Sequence, residues 1–545
     1  MSARDVGFDP VTLEVMRHAL VAVAEEMNAN LVRTAYSPNI KERRDCSCAV
    51  FDAAGEMAAQ AETIPVHLGA MPASVAAAVK RVEAFSPGDI VVLNDPYAGG
   101  AHLPDITFVA PVFDGEELVG FVANRAHHAD VGGKEPGSLA GDACEIYQEG
   151  LRIPPVRLWK GGELDPNLAE LILLNVRTPE ERWGDLRAQR AACVVGIERF
   201  LALVERFGRE GLSDGMKAIQ TYSEWRMRAE IERLPNGSAT FEDALDDDGL
   251  SSDPISVRAS VRIDGDGIEV DFAGTSPQAG GPVNAVLAVT QSAVYYVIRC
   301  VTDPEIPPNA GCYRPIEVVA PAGSVVSARA PAAVVGGNLE ASQRIVDVVL
   351  GALGQLLPGA AVAASQGTMN NVAIGGVDPR SGKPYTLYET IAGGWGARPS
   401  ADGVDGMHSH MTNTLNTPVE ALETAYPLRV ERYELRNGSG GQGRMRGGLG
   451  IRRDIRAVGH DARVSLLTDR RVHSPYGICG GEPGMLGANV VITPSGDEEG
   501  VAGKTSFTLA AENTISIRTP GGGGHGNPAE RADEAACADR RAERN

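Results

Sequence analysis

The chain alternates between stretches with helical hydrophobic spacing and stretches with strand spacing. Residues 9–34 carry apolar side chains from Leu13 to Leu31 at helical intervals, and Asp9 followed by Pro10 is typical of a helix start. We predict further helices at "LGAMPASVAAAVKRV", across much of 164–208, and over 338–357. These helices cluster in the first two thirds of the chain.

Strand patterns lie between and after these helices. The segment "CSCAVFDAAGEMAAQ" reads as strand, turn and strand, and three apolar runs within 89–130 read as β-structure. The segment "PISVRASVRIDGDGIEVDFAGTSP" alternates apolar and polar residues around a "DGDG" turn. After about residue 425, glycine and short β-runs dominate. No regular βαβ alternation is present.

These patterns predict a large, multi-layer α+β fold. Its N-terminal part combines helices with a β-hairpin, and its C-terminal part is β-rich and glycine-rich. We expect an α+β domain at 1–235 that carries a metal site, a central α+β domain at 236–425 and a Gly-rich β region at 426–530. The charged tail 531–545 is expected to be disordered or a short frayed helix.

Composition narrows the possible partners and compartment. With 71 acidic and 50 basic residues the formal charge is −21, and no basic patch offsets it, so nucleic acid and anionic membranes are excluded as expected partners. No apolar stretch reaches the roughly 20 residues of a membrane span, and no secretory signal is visible. Eight dispersed cysteines do not suggest a disulfide framework. A cytoplasmic protein is expected.

Two histidine-bearing segments are candidates for a metal site. "GGAHLPDITF" contains His102 and Asp105, and "RAHHADVGG" contains His127. Between them, Asp114-Gly115 separates two apolar runs and predicts a two-residue hairpin turn. That register pairs residue 102 with residue 127, which brings the two imidazoles within reach of one ion. Pro104 interrupts the ladder, so Asp105 can turn toward the same point.

Other interpretations of these segments remain open. A four-residue turn would shift the pairing and make His128 or Asp130 the competing side chain, although His128 must point away from His127 in an extended strand. Two imidazoles with one carboxylate suit a catalytic divalent ion. Loop histidines that hydrogen-bond to the backbone are an equally good interpretation of the residues alone.

Three other stretches carry weaker chemical signals. Asp45, in "RRDCS", precedes a strand, where aspartate is usually a turn former. The glycine-rich "GSGGQGRMRGGLG" and "TPGGGGHGNP" lack the P-loop arrangement, so nucleotide binding by this chain is not expected. Residues 389–423 combine aromatic, His, Asn and Thr side chains with glycine, which suits a pocket wall or an intersubunit surface.

Several long motifs resemble the hydantoinase B/oxoprolinase family. They are "NDPYAGGAHLPDI", "EGLRIPPVRL", "GGNLEASQRIVDVVLGAL", "NTLNTPVEALE", "SGGQGRMRGGLG" and "TPGGGGHGNP", in the expected order across nearly the whole chain. The last motif departs modestly, since His525 and Asn527 stand where many relatives have Tyr and Asp. This family includes B subunits of ATP-dependent hydantoinases, half of 5-oxoprolinase and subunits of acetone and acetophenone carboxylases.

The resemblance implies a division of labour between two subunits. An A-type ATPase subunit would use ATP to phosphorylate a small cyclic amide, and this chain would hold a divalent ion (Mn, Zn or Fe) at His102, Asp105 and His127. Asp45 is implied as a further ligand or as the general base, and His127 is placed with it at the catalytic centre. A hetero-oligomer such as a dimer of heterodimers is expected.

Three functions follow as hypotheses. The first is the B subunit of an ATP-dependent hydrolase that opens a hydantoin, 5-oxoproline or a related lactam. The second is a subunit of an acetone- or acetophenone-type carboxylase. The third is a non-catalytic scaffold that only regulates an ATPase partner.

Overall fold

The computed structural model describes residues 8–61, 63–542 and 544. Its α-helices are α1 (Pro10–Thr34), α2 (Pro38–Lys41), α3 (His67–Arg81), α4 (Pro166–Leu174), α5 (Pro179–Phe207), α6 (Arg209–Glu232), α7 (Leu287–Val301), α8 (Ala310–Tyr313), α9 (Ser342–Leu356), α10 (Val419–Ala425) and α11 (Asp533–Arg541). None of these helices combines the length and hydropathy needed to cross a membrane.

The strands of the described residues form four sheets. They are β1 (Cys46–Asp52), β2 (Met57–Gln60), β3 (Ile90–Leu93), β4 (Asp105–Asp114), β5 (Glu117–His127), β6 (Val156–Lys160), β7 (Glu163–Leu164), β8 (Gly237–Leu245), β9 (Ile255–Asp264), β10 (Gly267–Asp271), β11 (Ile316–Val319), β12 (Asn371–Val377), β13 (Pro384–Glu389), β14 (Leu428–Leu435), β15 (Ile451–Ala457), β16 (Ala462–Leu467), β17 (Ala488–Ile492), β18 (Glu498–Val501), β19 (Lys504–Leu509) and β20 (Thr514–Arg518). The predicted mixed α+β fold is confirmed.

The N-terminal sheet has seven strands in the order β2-β1-β5-β4-β3-β6-β7. The predicted first helix is confirmed as α1, which starts at Pro10 because Asp9 accepts a hydrogen bond from the Thr12 amide at its N-terminus. α1 and α5 pack together and against the central strands, and α3 also contacts β4 and β5. The hairpin of β4 and β5 is therefore the buried centre of this part.

The hairpin register differs from the sequence-based prediction. Asp114 pairs with Glu117, so the turn is Gly115-Glu116 instead of Asp114-Gly115. Gly115 has φ of 66° at the first turn position, a conformation that glycine favours there. A bulge between Val112 and Phe113 shifts the register once more, and His127 then pairs with Asp105. The predicted ladder pair of residues 102 and 127 is therefore wrong.

The remaining sheets lie in the central and C-terminal parts. Central strands run in the order β11-β10-β9-β8, and α9 packs on β8 and β9. The C-terminal strands form β13-β12-β16-β19 and β14-β15-β20-β17-β18. One buried apolar cluster extends from Leu13 through the central part to Leu467, and a second lies within residues 372–517. The boundaries given above for the domains stay predictions.

The glycine clusters of the C-terminal part allow backbone segments to pack directly on each other. The Gly448 amide donates to the carbonyl of Trp395, and the Gly522 amide donates to that of Gly448. A Cβ atom at Gly448 would overlap the Val404 carbonyl oxygen. These contacts leave no room for a side chain. The segment around Gly448 leads into β15, not into a helix N-terminus of the kind that cradles phosphate.

Part of the charged tail is ordered. Residues 533–541 form α11. Of the two expected alternatives, the helix is correct for these residues and the disordered tail is wrong. Arg531 binds Asp402 at 2.9 Å and Asp539 at 2.6 Å, and Asp539 is buried. The Arg531–Asp402 pair joins the tail to the body of the protein, and the Arg531–Asp539 pair joins α11 to the segment before it.

Candidate metal centre

His102, Asp105 and His127 come together at the open end of the hairpin. Each offers a ligand atom, and these three atoms lie within 4.8 Å of one another. The His102 Nε2 to Asp105 Oδ1 distance is 3.3 Å, and the two imidazole rings lie 5.0 Å apart. All three side chains are buried, with 0%, 1% and 3% exposure respectively. The predicted trio is therefore assembled, although not by the predicted register.

The local backbone explains how His102 reaches this point. Asp105 begins β4 and faces His127, the last residue of β5. His102 lies before β4, in a turn closed by the hydrogen bond from the Asp105 amide to the His102 carbonyl at 3.1 Å. This turn, and not ladder pairing, brings His102 back toward the end of β5.

The atoms of the trio that could bind a metal ion make no hydrogen bonds with the described residues. Both nitrogens of His102, both carboxylate oxygens of Asp105 and Nε2 of His127 are buried and make no hydrogen bond, although His102 Nε2 lies 3.3 Å from Asp105 Oδ1. Leaving a buried polar atom unpaired costs about 1–3 kcal/mol, so five in one place indicate that a ligand satisfies them. Two imidazoles and a carboxylate suit Mn, Zn or Fe. The residues therefore fit a divalent ion.

Charges and burial keep Asp105 and His127 in the protonation states that bind metal. Burial opposes ionisation of Asp105, but the neighbouring His102 and His67 hold its pKa well below the usual value. Burial, with a smaller contribution from His102, lowers the pKa of His127 well below its ordinary value. A carboxylate anion and a neutral imidazole are the forms that coordinate a metal ion.

Asp45 lies beside the trio but does not belong to it. It precedes β1, and its carbonyl accepts a hydrogen bond from the His127 amide at 3.0 Å. Burial raises the pKa of Asp45 to about 7, Arg43 opposes that rise, and the charge of Asp105 adds to it. Asp45 is absent from the group of mutually close ligand atoms. Its position and pKa suit a proton acceptor next to the centre.

Residues from the C-terminal part complete the surroundings of His127. The ring of Tyr388 stacks on that of His127 with 4.5 Å between centroids and an interplanar angle of 10°. Asn39 Nδ2 donates to the His127 carbonyl at 2.6 Å. Arg43 hydrogen-bonds Asn39 and donates to the hydroxyl of Thr414 at 3.1 Å. The segment 389–423 thus lies against the centre.

Two further histidines have distinct positions. His67 was not predicted: its Nε2 lies 3.6 Å from Asp105 Oδ2, and its Nδ1 lies 2.7 Å from the Ser47 hydroxyl. His67 is the first residue of α3, and no short sequence motif contains both His67 and the trio. Only its position between two predicted strands could have suggested that it lies near the centre. His128 faces Gln189, with 2.9 Å between Nε2 and Oε1, and points away from the trio.

Comparison with known proteins agrees with the family resemblance of the sequence motifs. Residues 9–528 match the Hydantoinase B/oxoprolinase family. The chain is 39% identical to 5-oxoprolinase 1 of Arabidopsis thaliana over 542 residues, which covers 95% of this chain and 42% of that protein. It is 33% identical to a putative D-/L-hydantoinase B subunit of Pseudomonas sp. (strain NS671), with 97% and 92% of the two chains covered. The chain thus spans less than half of the oxoprolinase and nearly all of the hydantoinase protein.

A solved structure shares both fold and sequence with the chain. The ATP-dependent caprolactamase of Pseudomonas jessenii superimposes with a TM-score of 0.91 at 31% identity, with 98% of this chain and 94% of that chain covered. Acetone carboxylase superimposes with a TM-score of 0.92 at 18% identity, over 99% of this chain and 79% of that one, which shows a common fold. The chain belongs to the hydantoinase B/oxoprolinase family.

Proposed function

We propose that this chain is the metal-bearing B subunit of an ATP-dependent hydrolase that opens cyclic amides. The observation that carries the proposal is the buried, unpaired trio of His102, Asp105 and His127 in a chain of this family. The likeness to the caprolactamase at 31% identity supports a lactam or related ring as substrate. The likeness to acetone carboxylase concerns the fold and does not favour carboxylation.

The residues around the centre fit the second half of such a reaction. An amide carbonyl is a poor electrophile because nitrogen donates into it, and phosphorylation of its oxygen creates a leaving group. A divalent ion at the trio would supply a water of lowered pKa as nucleophile at neutral pH. Asp45, with a pKa of about 7, is placed to accept a proton beside the trio. Tyr388 and Asn39 hold His127 in place.

The proposal assigns ATP to a separate A-type subunit. The chain covers 92% of the Pseudomonas protein named as one subunit of a hydantoinase but only 42% of the Arabidopsis 5-oxoprolinase. In the longer protein, the remaining sequence would supply the ATPase function. For this chain we propose a hetero-oligomer with an A-type partner, in an arrangement such as a dimer of heterodimers.

The test is ring opening by the co-expressed pair. The purified complex is incubated with ATP and, separately, hydantoin, 5-oxoproline and caprolactam, and the ring-opened acid and ADP are quantified. We expect both products from at least one ring, and neither without ATP. Product formation that depends on bicarbonate would instead support the carboxylase alternative.

His67 is expected to strengthen metal binding without being part of the trio. His67→Ala removes the imidazole beside the Asp105 carboxylate, so the affinity for Mn²⁺ or Zn²⁺ should fall about 10- to 100-fold. The measurement is a metal titration of the chelator-treated complex. His128→Asn is the matched control, since this buried neighbour contacts Gln189. Equal metal affinity in His67→Ala and the wild type would contradict the role.

A further inference from the structure

A second set of unpaired polar atoms lies between α9 and the loop around residue 409. On one side, the turn 337–341 continues into α9 and presents polar residues at positions i, i+3 and i+7 of one helix face. On the other side, three consecutive loop residues present polar atoms. Buried side-chain atoms without hydrogen-bond partners among the described residues occur in Glu340, Gln343, Asp347, His408, Ser409 and His410. We call these six residues the polar face.

The two sides of the polar face are close to each other. Gln343 Nε2 donates to the Ser409 carbonyl at 3.0 Å, and His410 Nε2 lies 3.9 Å from Asp347 Oδ1. All of these residues are at least nine-tenths buried. The helix side and the loop side of the polar face therefore contact each other away from bulk water.

The polar face is joined to the metal centre by two hydrogen-bonded routes. In the first, Glu340 accepts from Asn371 at 2.8 Å, and Asn371 accepts at 2.9 Å from the hydroxyl of Tyr388, whose ring stacks on His127. In the second, His408 Nε2 lies 3.4 Å from the hydroxyl oxygen of Thr414, which accepts a hydrogen bond from Arg43 beside the centre. The polar face is therefore connected to the metal centre through buried side chains.

Backbone geometry also marks this region. His410 has φ of 55°, in the left-handed region that a non-glycine residue rarely occupies. Residues 337–341 form a π-helical turn, a feature frequent at functional sites. Strained backbone together with buried unpaired polar atoms is typical of a ligand-binding surface.

We propose that the polar face binds the ring of a secondary cyclic amide and that Gln343 Oε1 accepts the hydrogen bond of the ring N–H. This inference rests on the proposed function and adds a specificity residue to it. The Gln343 amide is oriented because its Nε2 donates to Ser409, so the free oxygen offers only lone pairs. Addition of phosphate to the carbonyl oxygen without loss of the ring proton gives a cationic, N-protonated imidate, and the N–H of this activated ring still donates the same hydrogen bond.

The experiment compares N–H and N-methyl rings. Binding of 5-oxoproline, caprolactam and their N-methyl derivatives to the purified complex without ATP is measured by isothermal titration calorimetry. We expect at least one N–H ring to bind the wild type roughly tenfold more tightly than its N-methyl derivative, because a buried acceptor would be left unpaired. In Gln343→Met, affinity for that N–H ring should fall roughly tenfold and the preference should disappear.

Gln355→Met is the matched control. Gln355 lies on the same helix, and its Nε2 also donates to a backbone carbonyl, that of Thr240, but it is exposed and outside the polar face. The control should keep the wild-type preference. Equal binding of N–H and N-methyl rings by the wild type overturns the proposal without any variant, as does failure of every ring to bind.

The result separates this inference from the proposed function. ATP-dependent ring opening, together with an undiminished N–H preference in Gln343→Met, would refute the assignment of Gln343 and leave the hydrolase function standing. Absence of ring opening with every substrate would refute the function itself.

Discussion

Asp105→Asn is expected to abolish both metal retention and ring opening in the complex. The substitution replaces the one anionic group of the trio with a neutral amide of nearly the same shape. Stabilisation by a bound divalent ion is worth several kcal/mol, so turnover should fall by about three orders of magnitude. Metal content is measured by elemental analysis of the purified complex and turnover by the ring-opening assay.

Asp114→Asn is the control for that substitution. Asp114 lies at the opposite end of the same hairpin, where it is partly exposed and paired with Arg209. It should retain metal and turnover. A wild-type complex that opens rings without metal, or an Asp105→Asn complex that keeps a full complement of metal, would contradict the proposed centre. Full activity in Asp105→Asn would favour the scaffold hypothesis.

Arg344→Met is expected to give a large loss of stability. Arg344 is fully buried on α9 and binds Asp243 and Asp347 at 2.9 Å and Asp469 at 3.2 Å. Removing one member of a buried ion pair costs about 3–5 kcal/mol because the partner charge is left without compensation. The free energy of unfolding in urea, measured on the purified chain, should decrease by about that amount.

The loss of stability in Arg344→Met depends on the burial of its ion pairs. An exposed ion pair tests this dependence. Arg262 pairs with Asp264 and Glu269 on the exposed side of β9. Arg262→Met should leave the urea midpoint nearly unchanged, since exposed pairs contribute little. If both variants have the wild-type midpoint, the buried ion pairs of Arg344 contribute no more to stability than the exposed pairs of Arg262.

The hairpin of β4 and β5 shows which features local sequence patterns can predict and which they cannot. The two apolar runs on either side of Asp114-Gly115 predicted both strands, and with them the neighbourhood of His102 and His127. The predicted register was wrong because Gly115 occupies the first turn position and a bulge in β4 precedes the turn. His102 still reaches the centre, since the turn before β4 folds it back. Turn type and bulges depend on packing that a hydrophobic pattern does not encode.

Contacts between segments far apart in the sequence could not be predicted from these patterns. His67, Tyr388 and Gln343 come from three separate elements, and no spacing in the sequence relates them to His102. The sequence indicated only glycine and short β-runs after about residue 425, whereas the glycines around Gly448 allow direct backbone packing. Both cases depend on which segments meet in three dimensions. The periodicity of apolar residues indicates only which face of a single helix or strand is buried.

The stacking of Tyr388 on His127 has a consequence for how this site could be inherited or transplanted. All three metal-ligating candidates occur within residues 102–127, at one end of the β4–β5 hairpin, which suggests that this segment could be transferred as a unit. Yet Tyr388 and Thr414 are needed around His127 and Arg43, and they lie far along the chain. A graft of the hairpin into another scaffold would carry the ligands without their support. Recombination that split the chain between β5 and β13 would disable the centre while leaving its motif intact.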